Sequence, residues 1–161
     1  TSVRYASLMH DIGGGPANQP NRSCHEDLRP KGLELLSEIT KRLCVPKEYS
    51  ELAALVCEHY KKVHELDRLG ANELLSLIES LDAIRRPERF KKFLTVCEAI
   101  AKASNENIDY AESLTSVLKV ISEVDVKALM QSQPDKDPKD LLRHHRLDLI
   151  TKLITEPSRN L

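Results

Sequence analysis

An all-α bundle of about seven to eight helices is predicted by three observations. Apolar residues recur at i, i+3, i+4 and i+7 through most of the chain, with no convincing alternating strand pattern. Composition disfavours sheet: the 161 residues include only 5 glycines and 4 % aromatics, while Leu, Ala, Glu and Lys abound. Prolines stand where helices would begin rather than inside them.

The first helix carries Tyr5, Leu8, Met9 and Ile12 as its apolar stripe, and Gly13-Gly14-Gly15 stops it. Residues 13–29 hold glycine, proline, asparagine and serine and form a loop long enough for a functional role. Pro30 opens a second helix with Leu36, Ile39 and Leu43 on its inner face. Pro46 opens a third, striped by Leu52, Leu55, Val56, His59 and Val63. Asn72 is placed as N-cap of a fourth, with Leu74, Leu77, Ile78 and Leu81 facing inward. Pro87 starts a fifth, with Phe90, Phe93, Leu94, Cys97 and Ala101. A polar break from Asn105 to Asp109 precedes a sixth, marked by Leu114, Val117, Leu118 and Ile121. A short turn runs from Val126 to Met130. The last helix has Asp137 as N-cap and Pro138 at its first position. Each stripe is one face wide, so the helices must bury their faces against one another.

Charged residues make up 30 % and hydrophobic residues 40 % of the chain, ordinary soluble-globular usage, and the net charge is −1. That charge argues against a free-standing nucleic-acid clamp and leaves room for local basic stripes. No apolar run approaches the ~20 residues of a membrane span, and no basic-then-apolar leader opens the chain. A cytoplasmic location without a membrane partner is expected. Four cysteines, Cys24, Cys44, Cys57 and Cys97, are irregularly spaced with no CxxC pair, which argues against a zinc ribbon or a redox motif. Cys44, Cys57 and Cys97 fall among apolar helical residues, where a reduced thiol acts as a small hydrophobe. No Walker loop, GxSxG elbow or dinucleotide fingerprint is present.

His10-Asp11 carries the chemistry. Neutral imidazole and carboxylate are both good divalent-metal ligands, and a glycine-rich turn lets a phosphate approach the backbone. As a dipeptide alone, the pair is better explained by a helix end with a half-buried histidine. Two basic stripes are candidates for phosphate contact. Arg85, Arg86, Arg89, Lys91 and Lys92 count only Glu88 as a nearby acid, and Pro87 sets them around a helix start. Lys139, Arg143 and Arg146, at i, i+4 and i+7, share a face of the last helix. For either stripe alone, a solvated charged face is the commoner outcome.

The stretch Arg4-Tyr5-Ala6-Ser7-Leu8-Met9-His10-Asp11-Ile12-Gly13 resembles the signature segment of HD-superfamily domains. It is most similar to the C-terminal HD domain of bacterial tRNA nucleotidyltransferases, the CCA-adding proteins. Pro30-Lys31-Gly32-Leu33 resembles the family's next helix start, and Arg42-Leu43-Cys44-Val45-Pro46 its "RL-x-VP". Asp82-Ala83-Ile84-Arg85-Arg86-Pro87-Glu88-Arg89-Phe90 resembles its "D-A-x-R-(R/K)-P-x-R". Leu142-Arg143 with Arg146-Leu147 resembles its arginine-rich last helix, so the likeness runs from Val3 to Ile154.

The resemblance implies an HD-type bundle spanning residues 1–161 as one domain, a fragment whose nucleotidyltransferase head lies N-terminal to residue 1. That head would use Mg²⁺, CTP and ATP to build the 3′-CCA end of tRNA, and tRNA is the implied partner. A second copy of the chain is also kept open as a partner. An HD site would add metal-dependent phosphohydrolysis (2′,3′-cyclic phosphodiesterase, 2′-nucleotidase and phosphatase) with Mg²⁺ or a transition metal at His10 and Asp11. The expected partner ligands are largely replaced. Gly14 stands where the family has lysine and Leu28 where it has histidine. Tyr60 and Lys61, in Glu58-His59-Tyr60-Lys61, stand where it has a His-Asp pair. His25 and His59 are the remaining metal candidates, with His59 better explained as a packed helix residue and His25 as a solvated one. His64, His144 and His145 are expected in ordinary partly exposed positions. The expectation is a degenerate hydrolase site in a domain that binds tRNA through Arg85, Arg86, Arg89, Lys139, Arg143 and Arg146, or that serves as a scaffold. The alternatives are a working phosphohydrolase and a helical protein-contact or oligomerisation module.

Overall fold

The structure, a computed structural model, describes residues 1–14, 29–105, 110–132 and 137–155. Among them every regular element is helical: α1 (Ser2–Met9), α2 (Arg29–Arg42), α3 (Lys47–His64), α4 (Ala71–Ser80), α5 (Pro87–Ala103), α6 (Tyr110–Ser122), α7 (Val126–Ser132) and α8 (Pro138–Thr155), with one 3₁₀ turn at Leu66–Arg68. The all-α expectation holds. None of these helices is long and apolar enough to cross a membrane.

The chain divides into two compact units, residues 1–64 with 88–108, and residues 65–87 with 109–161. In the first unit α3 is the central element, with α1 and α2 laid against it. Leu52, Val56, His59 and Val63 form its buried stripe, with Ala53 beside them. On α5, Phe90, Phe93, Leu94, Cys97, Ile100 and Ala101 are buried at i, i+3, i+4, i+7, i+10 and i+11, a single helical face. In the second unit α8 takes that central place, with α4, α6 and α7 packed on it. Leu74, Leu77, Ile78 and Leu81 are buried, as are Leu114, Val117 and Ile121 on α6.

The helix ends explain where the sequence reading slipped. Asn72 is not the N-cap of α4. Gly70 is, and the Glu73 carboxylate accepts its N–H at 3.0 Å, one half of a capping box. Asp137 does cap α8, its Oδ1 accepting from Lys139 N–H (2.8 Å) and Asp140 N–H (3.2 Å). Asp125 caps α7 in the same way. The stripe read on the first helix fails at Leu8, which is 76 % exposed; Tyr5, Met9 and Ile12 are half-buried, and the fully buried residues of the helix are Ser2 and Ala6. Leu8 lies ~200° around the helix from Ala6, and the small residues are the ones that let α1 sit close on α3.

Leu43 and Cys44 are also exposed, not core, because α2 has already ended. Cys44 N–H donates to Lys41 O and Val45 N–H to Thr40 O, and Cys44 adopts φ 49. That is a Schellman stop with cysteine in the left-handed place glycine prefers. Asp82 (φ 51) ends α4 with the same pair of bonds, from Asp82 N–H to Glu79 O and from Ala83 N–H to Ile78 O.

Candidate functional site

His10 follows the last residue of α1 and keeps helical backbone angles. Its Nδ1 lies 2.7 Å from the Ser7 carbonyl oxygen. A carbonyl only accepts, so Nδ1 carries a proton, and in the neutral ring Nε2 then keeps the lone pair. Metal-binding histidines are commonly held in this tautomer by such a backbone bond. Asp11 begins a tight turn, closed by Gly14 N–H donating to Asp11 O at 2.8 Å.

The packing of α1 on α3 brings His10 against Tyr60, whose ring meets the imidazole edge-on with centroids 5.4 Å apart. His64, one turn further along α3, lies against Tyr60 at 4.2 Å. Cys57 is one turn in the other direction, close enough to Asp11 to feel its charge. Burial raises the Cys57 thiol pKa above its ordinary value, the Asp11 and Glu58 carboxylates raise it further, and Lys61 opposes them. Cys57, Tyr60 and His64 thus form the face of α3 that meets the His10–Asp11 pair. The first turn of α2 closes on the same place. A Cβ on Gly32 would stand 2.8 Å from Cys57 Sγ and 3.4 Å from Gly13 N, so only glycine lets α2 come this near.

His59 belongs to the other face of α3. It is 4 % exposed within the core stripe, and its Nε2 lies 3.7 Å from a Glu58 carboxylate oxygen. The packed-histidine reading describes it, and the α3 residue that meets His10 is the next one, Tyr60. His64 is half-buried, as expected, with its ring against Tyr60. The i, i+3, i+7 spacing of Cys57, Tyr60 and His64 was the sequence signal for this face. His25 and Leu28 lie outside the described residues. Among the described residues no three His, Cys, Asp or Glu side chains converge as metal ligands. A divalent ion needs more than the two donors His10 and Asp11 supply, so the described residues do not fit a metal centre.

The basic residues have more acidic company than sequence proximity suggested. Asp82 lies 3.6 Å from Arg85 Nε and 3.5 Å from Arg86 Nε. In the first unit α3 supplies Glu51 to Arg89 and Glu48 to Lys92, while Glu88 holds Lys91. The reading that counted Glu88 as the only nearby acid missed these partners because two come from a helix forty residues away in sequence and one from a left-handed turn residue. On α8, Arg143 is bound across α4. Its Nη1 donates to Glu79 at 2.6 Å and its Nη2 to Asn72 and Ser76 at 3.0 and 3.3 Å. Lys139 is exposed and Arg146 half-buried on the same helix.

Comparison with known proteins adds relatives. The chain is 35 % identical over 142 residues to a "Multifunctional CCA protein" of Methylobacillus flagellatus, covering 84 % of this chain and 34 % of that protein. It is 34 % identical over 155 residues to the protein of that name from Pseudomonas fluorescens, covering 92 % and 38 %. The chain is homologous to the C-terminal region of multifunctional CCA proteins. A third CCA protein, from Hahella chejuensis, is 36 % identical over 132 residues, covering 80 % of this chain and 31 % of its own length. The chain therefore spans about a third of the length of the CCA proteins it matches. No protein-family profile matches the chain, and no solved structure matches it.

Proposed function

We propose that this chain is the HD-type helical tail of a tRNA CCA-adding nucleotidyltransferase, and that its His10–Asp11 pair is a retained structural element rather than a working phosphohydrolase centre. The observation that carries the reading is the α3 face opposite His10, where a phenol, Tyr60, meets the imidazole. A tyrosine held edge-on to a histidine braces it and supplies no ordinary ligand for a hard divalent ion. The tail acts as a helical scaffold for the parent enzyme. Scaffolding is favoured over direct phosphate contact because carboxylates lie beside Arg85, Arg86, Arg89 and Arg143.

The test is a metal-dependent 2′,3′-cyclic phosphodiesterase assay on the full-length protein, with His10→Ala/Asp11→Ala as control. We expect no activity that depends on the pair; robust hydrolysis abolished in the control would sink the reading. A tRNA titration of the chain at two salt concentrations separates the scaffold from an RNA-facing role. Phosphate contacts make affinity fall steeply with salt, whereas the scaffold predicts weak binding by this chain at both.

A second reading, a working phosphohydrolase, is supported by one detail. His10 presents the Nε2 lone pair that a metal-binding histidine needs. The same assay decides between the two.

A further inference from the structure

Leu8 is the most exposed large hydrophobic side chain among the described residues. A single exposed leucine is ordinary on a protein surface. This one stands on a helix whose packing is one-sided. α1 spans only Ser2–Met9, a length that is marginal without tertiary support. It packs on α3, and its fully buried residues are Ser2 and Ala6. Thr1, Arg4 and Leu8 are all exposed. At i, i+3 and i+7 they fall within ~60° of one another, on the side away from α3. A leucine with an arginine one turn before it, on an uncovered row, has the spacing of one half of a helix–helix seam.

The region matched in the CCA relatives is C-terminal in them, and about two thirds of each lies outside it. In a parent protein of that kind, a preceding segment joins this chain at Thr1, ~10 Å along the helix axis from Leu8. Helix–helix connections in bundles run to about 2–8 residues, so a helix entering through such a turn lies antiparallel along α1 and passes over Leu8. Attachment gives that segment an effective concentration on the order of millimolar, which favours it over a second copy of the chain. We propose that the Thr1–Arg4–Leu8 row is the docking seam for an amphipathic helix of the parent protein immediately before Thr1. An apolar residue of that helix packs on Leu8, and a carboxylate lies beside Arg4, which has no ion-pair partner among the described residues. The inference rests on reading the chain as the tail of a longer enzyme, and it names the face by which the first unit is covered.

The experiment places Leu8→Cys in the full-length parent protein and in the 161-residue chain. Maleimide labelling of each thiol is timed by peptide mass spectrometry, with exposed Cys44 as internal standard. The expected result is labelling at position 8 as fast as at Cys44 in the 161-residue chain, and at least about tenfold slower in the full-length protein. A chain lengthened before Thr1 by about twenty residues, room for a turn and a helix of three turns, keeps that protection. Equal rates in the short and full-length proteins overturn the proposal. Protection that the lengthened chain lacks overturns it too, because the cover then comes from a distant part. So does slowing in the 161-residue chain that grows with its concentration, the mark of a second copy. Cysteine removes part of the contact, so Leu8→Gln, which keeps helix propensity, is the second variant. It leaves the melt of the 161-residue chain within about 1 °C and lowers that of the lengthened chain by about 4–8 °C; no shift in the lengthened chain overturns the seam. A parent protein with no segment before Thr1 overturns the tail reading and the seam together, whereas a parent that has the segment and leaves Leu8 open overturns the seam alone.

Discussion

Burial pushes the Cys97 thiol up from 9.0 to about 12, because a thiolate in an apolar interior loses its hydration. The unfolded chain releases this proton near the ordinary value, while the native chain keeps it. Between pH 9 and 12 the native state therefore binds more protons, and stability must fall as pH rises through that window. Cys97→Ala should flatten this alkaline decline in a plot of Tm against pH, at a cost of about 1–2 kcal/mol at neutral pH for the lost packing; profiles that run parallel would refute the assignment. At this scale the sequence was informative about burial and less so about direction. Cys97 and His59 were legible as interior residues because both fall on a continuous apolar stripe. Tyr60 was legible only as a replaced ligand. Which side of α3 meets His10 depends on how α1 docks, and the small residues that dock it, Ser2 and Ala6, look unremarkable beside Leu8.

The approach of α2 to α3 turns on one pair, Gly32 and Cys57. Alanine gains ~1 kcal/mol over glycine in a helix interior, but here the added methyl would meet Cys57 Sγ at 2.8 Å and Gly13 N at 3.4 Å. Gly32→Ala alone should be neutral to destabilising. In a Cys57→Ala background, with the sulfur removed, the same substitution should gain stability. A double-mutant cycle by urea unfolding should give a coupling of about 1 kcal/mol, and strict additivity would show that the two residues do not press on each other. Helix positions were readable from periodicity and from prolines at helix starts, since both act locally. Helix ends were harder. α2 and α4 stop at Cys44 and Asp82, residues that carry no stop signal of the kind glycine gives, so the stripe ran on to Leu43. Gly70 rather than Asn72 starts α4 because Glu73 reaches back to its N–H, a bond that spans three residues and that single-residue capping preference does not detect.

Each compact unit is organised around a helix of 18 residues, α3 in one and α8 in the other. In the second unit Arg143 fastens α8 to α4 through Asn72, Ser76 and Glu79, three positions on one face of α4. Arg143→Ala should lower stability by about 1–2 kcal/mol, the upper end reflecting charge-assisted bonds and the lower end partial exposure. Arg143→Lys should restore only part of it, because an ammonium cannot span the three acceptors. Thermal melts and hydrogen exchange across α4 and α8 measure this; a melt unchanged by Arg143→Ala would count against the clamp. That arginine looked, in sequence, like one of three cations on a phosphate-facing stripe. Helical spacing shows which residues share a face and says nothing of what that face meets, and here an acceptor row on α4 meets it. The whole chain contains no tryptophan and four tyrosines. One of those four, Tyr60, is held between the rings of His10 and His64. The protein therefore carries its own optical reporter beside the His10–Asp11 pair, and any rearrangement of that pair will be written in the near-ultraviolet spectrum of the unlabelled chain.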